Sequence, residues 1–198
     1  ACSSGTAGSS SSVASQAASN VATSEAASQA ASSSAAAAAG EIKSTGPNGE
    51  KAVNAKTIDL TDSEIAKVKA ENYSAAICFH YAGNDWSTSQ LKGLTDEFNK
   101  LGIKIVATTD ANFSVEKQVA NIETVIAKKP NILVSIPVDP TSTADAYQKA
   151  ANAGIKLVFM DNVPKGFVAG KNYVSCVSAD NYGNGLIAAD LIGEKLNG

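Results

Sequence analysis

The chain has no arginine, and among its 198 residues it has one histidine (His80), one tryptophan (Trp86) and one methionine (Met160). All 16 basic residues are therefore lysines, set against 19 acidic ones for a net charge of −3. Readers of nucleic acid use a basic face and favour the arginine fork, so no nucleic-acid partner is expected. One histidine and three cysteines leave a Cys/His zinc site short of ligands, and no metal is expected either. No apolar run reaches the roughly 18 residues that a membrane-spanning helix needs. The glycine signatures of cofactor and nucleophile loops are missing too: there is no GxGxxG after a strand, no P-loop and no GxSxG. Gly183 and Gly185 flank Asn184 without the third glycine of a dinucleotide loop. No cofactor is expected, and an enzymatic role has little to stand on.

Alanine and serine are abundant, and they are concentrated. The first forty residues hold 15 Ala and 13 Ser, one charge (Glu25) and no aromatic ring. Such a segment offers too little apolar surface to offset the entropy of ordering it, so residues 1–48 are expected to be a disordered linker. The turn-rich Gly46–Ala52 stretch marks its end, and the remainder suits one ordinary domain. Cys2 lies between Ala1 and this spacer, which fits the lipid-bearing cysteine of a processed bacterial lipoprotein or a chance cysteine in a tail. A flexible spacer of about forty residues has a root-mean-square reach of roughly 35 Å. Cys78 and Cys176 lie in separate apolar runs, read as two buried free thiols in preference to a disulfide.

Beyond the linker the pattern alternates. Thr61, with Glu64 three residues later, predicts a capping box that opens a short helix bearing Ile65 and Val68. Five apolar runs predict strands at 74–80, 103–108, 131–136, 155–160 and 173–177. Helical stripes lie between the first four runs: Leu91, Leu94, Phe98 and Leu101; then Val115, Val119, Ile122, Val125 and Ile126; then Tyr147, Ala150 and Ala151. Gly102 and Gly154 each stop a helix directly before a strand. Alternating helices and continuous apolar strands predict an α/β fold, a doubly wound parallel sheet in three α/β/α layers with helices on both faces.

A parallel sheet delivers every strand's C-terminal end to one edge, where ligands bind. The residues just past the five strands include His80, Asn84, Asp85 and Trp86; Asp110; Asp139; Asp161 and Asn162; and Asp180. Carboxylates and amides pair with vicinal hydroxyls, while an indole face covers the C–H surface of a sugar ring. Asp85 and Asp139 fit equally a capping role for the helix that follows. Trp86 fits ligand contact or packing, and His80 fits a supporting hydrogen-bonding role better than catalysis, since no Ser or Cys nucleophile motif accompanies it. A receiver-like magnesium site at Asp110, Asp139 and Asp161 lacks both the acidic pair after the first strand and a rim lysine.

Taken together, AAICFHYAGNDWSTSQLKG, KLGIKIVATTDANFSVEKQVANIETVIAKKPNILVSIPVDP, KLVFMDN and SADNYGNGLIAADLIGEKL resemble the first half of the sugar-binding, ribose-binding-like type I solute-binding proteins of ABC importers. The resemblance implies an extracytoplasmic protein, lipid-anchored through Cys2 to the outer face of the bacterial membrane, that passes a monosaccharide or sugar-like solute to ABC permease subunits. It implies that Asn84 and Trp86 are the amide and stacking ring of the first loop, and that Asp161 bonds sugar hydroxyls. The family often has arginine after that aspartate, where this chain has Asn162.

The resemblance also implies a division into a lobe at 49–180 and, at 181–198, the first helix of a second lobe that the chain does not complete. The final helix carries Leu186, Ile187, Leu191 and Ile192 at helix spacing, so self-association and weak sugar binding are expected of this chain alone. A sensory module that presents a bound sugar to a receptor fits the same lobe. A repressor effector domain would need a DNA-binding headpiece where the Ser/Ala segment stands.

Overall fold

A computed structural model describes residues 42–196, and Cys2 and most of the expected linker lie outside that range. The first helix, α1 (Asp62–Ala70), opens on the expected capping box: Thr61 Oγ1 accepts from the Glu64 amide, and Glu64 accepts from the Thr61 amide at 2.8 Å. Then follow β1 (Ser74–Phe79), α2 (Asp85–Lys100), β2 (Lys104–Asp110), α3 (Val115–Lys128), β3 (Ile132–Ser135), α4 (Ala144–Asn152), β4 (Lys156–Met160), β5 (Ser175–Val177) and α5 (Asn181–Leu196). The five strands form one sheet, all parallel, in the order β2-β1-β3-β4-β5. This is the expected α/β architecture.

Two helix stops are built alike. Gly102 and Gly154 take φ of +70° and +83°, a region open to glycine at little steric cost. In each, the glycine amide reaches back three residues and the next amide reaches back five: Gly102 to Asn99 and Ile103 to Phe98, Gly154 to Ala151 and Ile155 to Ala150. The helix carbonyls are satisfied and the chain turns straight into a buried strand.

Strand side chains alternate between two cores. Ala76, Cys78, Leu133, Leu157 and Phe159 pack with Ile122 and Val125 of α3 and Tyr147 and Ala150 of α4. Ile77, Phe79, Val134, Ile136 and Met160 point the other way, against Leu91, Leu94 and Phe98 of α2. Helices thus lie on both faces, as expected, and on the second face they leave part of the sheet open. A groove of about 900 Å³ runs beside α2, floored by Ile132, Val134, Val158, Met160 and Val177.

Three details differ from expectation. Strand β2 continues to Asp110 and β5 begins only at Ser175, Tyr173 contributing a single bridge to Ala169. Cys78 is a buried free thiol, and burial pushes its pKa up to about 11, but Cys176 is only half-buried. Part of the stretch assigned to the linker is tied to the lobe: Thr45 bridges Lys51, and the Asn48 amide group donates to the Phe167 carbonyl at 3.2 Å. These contacts place the start of the folded unit before residue 49.

Candidate functional site

The C-terminal edge of the sheet is organised around His80, the first residue past β1. Its ring is half-buried and stands edge-on to two aromatic neighbours, Trp86 at 6.2 Å and Phe113 at 5.3 Å between centroids. Burial lowers its pKa, and the carboxylates of Asp161 and Asp110 act in the opposite direction. Its Nδ1 is buried without a hydrogen-bond partner, as is Asn162 Oδ1. Buried polar atoms of this kind are uncommon in folded proteins.

Each neighbour is held by local chemistry. Asn84, and not Asp85, caps α2: its Oδ1 accepts from the Ser87 amide at 2.8 Å, which leaves the Nδ2 group to donate elsewhere. That cap sets Trp86 in the first turn of α2, where the indole is 46% exposed and borders the upper end of the apolar groove. Asp110 ends β2, and its carboxylate accepts from the Asn112 amide at 2.7 Å. Asp161 leaves β4 with φ of +69°; its amide donates to the Val177 carbonyl at 2.9 Å and its carboxylate accepts from Ser178 Oγ at 3.4 Å. Asn162 donates to the Pro137 carbonyl at 3.4 Å.

Two expected rim aspartates are engaged in the backbone. Asp139 accepts from the amides of Thr141 and Ser142, which holds its carboxyl below the usual range and shapes the turn into α4. Asp180 accepts from the amides of Lys43, Ser44 and Gly183 and from Ser44 Oγ. The structure therefore brings His80, Trp86, Asp110 and Asp161 together, adds Asn84 and Asn162 beside them, and puts Asp139 and Asp180 to work on the chain itself. Among the described residues the ion pairs are Lys92–Asp96, Lys100–Glu97 and Lys149–Glu123, none of them on this rim. Among the same residues no group of three His, Cys, Asp or Glu side chains is placed to hold a metal ion.

Sequence reading passed over two residues here. Phe113 joins the cluster from the β2–α3 turn, stacked on Tyr81 at 4.8 Å and 15°; its signal was a large apolar side chain between Asn112 and the helix cap Ser114. Gln118 is fully buried in α3, and its side chain donates to the Ile136 carbonyl at 2.8 Å and accepts from the Val138 amide at 2.7 Å. It anchors the loop that leads from β3 towards Asn162.

Residues 75–198 match the family described as periplasmic binding protein domain. The chain is 28% identical over 144 residues to the ribose import binding protein RbsB of Escherichia coli (strain K12), covering 72% of this chain and 46% of that protein. It thus spans about half the length of the curated relatives it matches most fully. Among solved structures it is similar to a sugar ABC transporter sugar-binding protein from Bacillus halodurans, with 27% identity and a TM-score of 0.55 over 63% of this chain and 41% of that one. It is similar also to AraP, an arabinose binding protein from Geobacillus stearothermophilus, with 25% identity and a TM-score of 0.56 over 64% and 42% of the two chains.

Proposed function

The chain belongs to the periplasmic binding protein domain family, and from that premise we propose that it serves outside the cytoplasm in the capture of a monosaccharide or sugar-like solute for an ABC importer. The observation that carries this reading is the setting of His80, with aromatic edges at Trp86 and Phe113 and the carboxylates of Asp110 and Asp161 within electrostatic reach. An apolar ring beside acceptor-only carboxylates suits a molecule with C–H faces and many hydroxyl donors. The relatives named for ribose and arabinose point to the same ligand chemistry.

In this reading Trp86 covers one face of the sugar ring, Asp161, Asp110 and Asn162 bond its hydroxyls, Asn84 donates through Nδ2, and His80 forms the floor. Asp139 acts through the turn it holds. The role is capture and release, without chemistry, and ABC permease subunits are the implied protein partners. Cys2 carries the lipid that tethers the domain to the outer face of the membrane, with the Ser/Ala run of the first forty residues as spacer; the cysteine and the run beside it support this part.

Thermal-shift screening with ribose, arabinose and other pentoses, hexoses, polyols and amino sugars is the direct test, since a ligand that binds only the folded state raises the melting temperature. At least one sugar is expected to do so at high concentration, in keeping with the weak binding expected of this chain alone. Trp86→Ala and Asp161→Ala should each then weaken binding about tenfold or more by calorimetry, because each leaves a ring face or a set of hydroxyls unpaired. Parental affinity in both variants would remove this site. Membrane fractionation of Cys2→Ala tests the anchor, and the variant is expected in the soluble fraction.

A further inference from the structure

Phe113 adopts φ of +59°, directly after Asn112 at +49°. Asparagine enters the left-handed region readily, but a bulky aromatic residue there is an outlier that surrounding contacts must hold. The backbone contacts are present: the Asn112 amide donates to Asp110, the Phe113 amide donates to the His80 carbonyl at 2.8 Å, and the Ser114 amide donates to the Ala111 carbonyl at 2.9 Å. The Phe113–His80 bond pins the turn after β2 onto the loop after β1, the other two close the turn itself, and all three are made by backbone amides. The phenyl ring is needed for none of them.

Core packing does not account for the ring either, because Phe113 is 59% exposed. Its position is nonetheless defined from two sides, stacked on Tyr81 and edge-on to His80. His80 in turn stands edge-on to Trp86, so two exposed aromatic rings flank one half-buried imidazole at the ligand-facing edge of the sheet. We propose that Phe113 is a specificity-determining ligand contact, a second apolar wall on the β2 side of His80 that works with Trp86 to select closed-ring sugars over open-chain polyols. A pyranose or furanose ring presents rigid C–H surfaces to two walls at once. An alditol of the same carbon number must give up chain torsions to do so and gains less.

The proposal rests on the sugar-binding reading, and its test separates the two. Phe113→Gly removes the ring at a position whose φ glycine adopts freely, so the fold should keep or raise its melting temperature. Calorimetry is run with ribose and ribitol and with arabinose and arabinitol, on parent, Phe113→Gly and Phe113→Tyr. In Phe113→Gly, closed-ring affinity should fall about tenfold with alditol affinity nearly unchanged, and Phe113→Tyr should restore the parental preference. Closed-ring affinity within about twofold of the parent, or an equal loss for sugar and alditol, overturns the proposal. A melting temperature lowered by more than about 5 °C also overturns it, because the ring would then be structural. A parent that responds to none of the sugars overturns the reading beneath it, an outcome distinct from a parent that binds and a variant that matches it.

Discussion

The hydroxyl of Ser44 donates to the carboxylate of Asp180 across 136 residues of chain, at 2.7 Å, and the Ser44 amide donates to the same carboxylate at 2.9 Å. With the amides of Lys43 and Gly183 added, one carboxylate closes the first turn of α5 and ties the entry segment to the exit of β5. These donors hold the Asp180 carboxyl well below its ordinary range. A carboxyl depressed in the folded state contributes stability that is complete above its unfolded pKa of about 3.9 and is lost as pH falls below that value. Asp180→Asn should therefore melt below the parent at pH 7, and the gap should narrow once the pH drops under about 4. Parallel thermal melts across that range check it.

Gln118 is a positioning residue. Gln118→Leu keeps much of the volume but leaves the Ile136 carbonyl and the Val138 amide without their partners. One buried and one half-buried backbone group left unpaired should cost about 2–4 kcal/mol in urea unfolding. Ligand affinity should fall as well, because Asn162 leans on the same loop through the Pro137 carbonyl.

A buried relay joins sheet to helix. Ser135 Oγ gives its single proton to the Cys78 carbonyl at 2.7 Å, so Tyr147 must be the donor in the 2.6 Å bond between the two hydroxyls. Burial holds the Tyr147 phenol well above its ordinary pKa, and it stays protonated. Tyr147→Phe should cost about 1 kcal/mol, and Ser135→Ala about 1–3 kcal/mol because it strands the phenol. The double variant should lose less than the sum, and chemical denaturation of all four proteins measures the difference.

His80 sets a pH signature. Burial lowers its pKa in the folded state despite the opposing pull of Asp161 and Asp110. The unfolded chain therefore binds the proton more readily, so the stability contribution is complete above the unfolded pKa of about 6.5 and is lost as pH falls below it. As His80 is the only histidine, thermal melts between pH 5 and 8 should show this loss in the parent and not in His80→Gln. A variant that follows the parental curve would assign the proton to another group.

The sequence by itself determined the elements and their kind. Apolar runs, helix stripes, the Thr61–Glu64 capping box and the stops at Gly102 and Gly154 are signals carried within a few residues, and local backbone geometry answers to them directly. The parallel sheet, and the single edge to which its strands deliver their C-terminal ends, follow from the alternation of those elements. Only the tertiary structure decided which rim groups are free: Asp161 and Asp180 look alike in sequence, yet Asp180 is filled by four donors from distant and local chain. It also brought Phe113 against His80, because the 32 residues between them fold through α2 and β2 so that the two loop ends meet at the same edge. The stripe on α5 marks the limit most clearly. Its periodicity promises burial, while Ile187, Leu191 and Ile192 stand 54–60% exposed. A repeat of apolar residues records that a surface prefers to leave water, and because the hydrophobic effect is non-directional, it does not record against what.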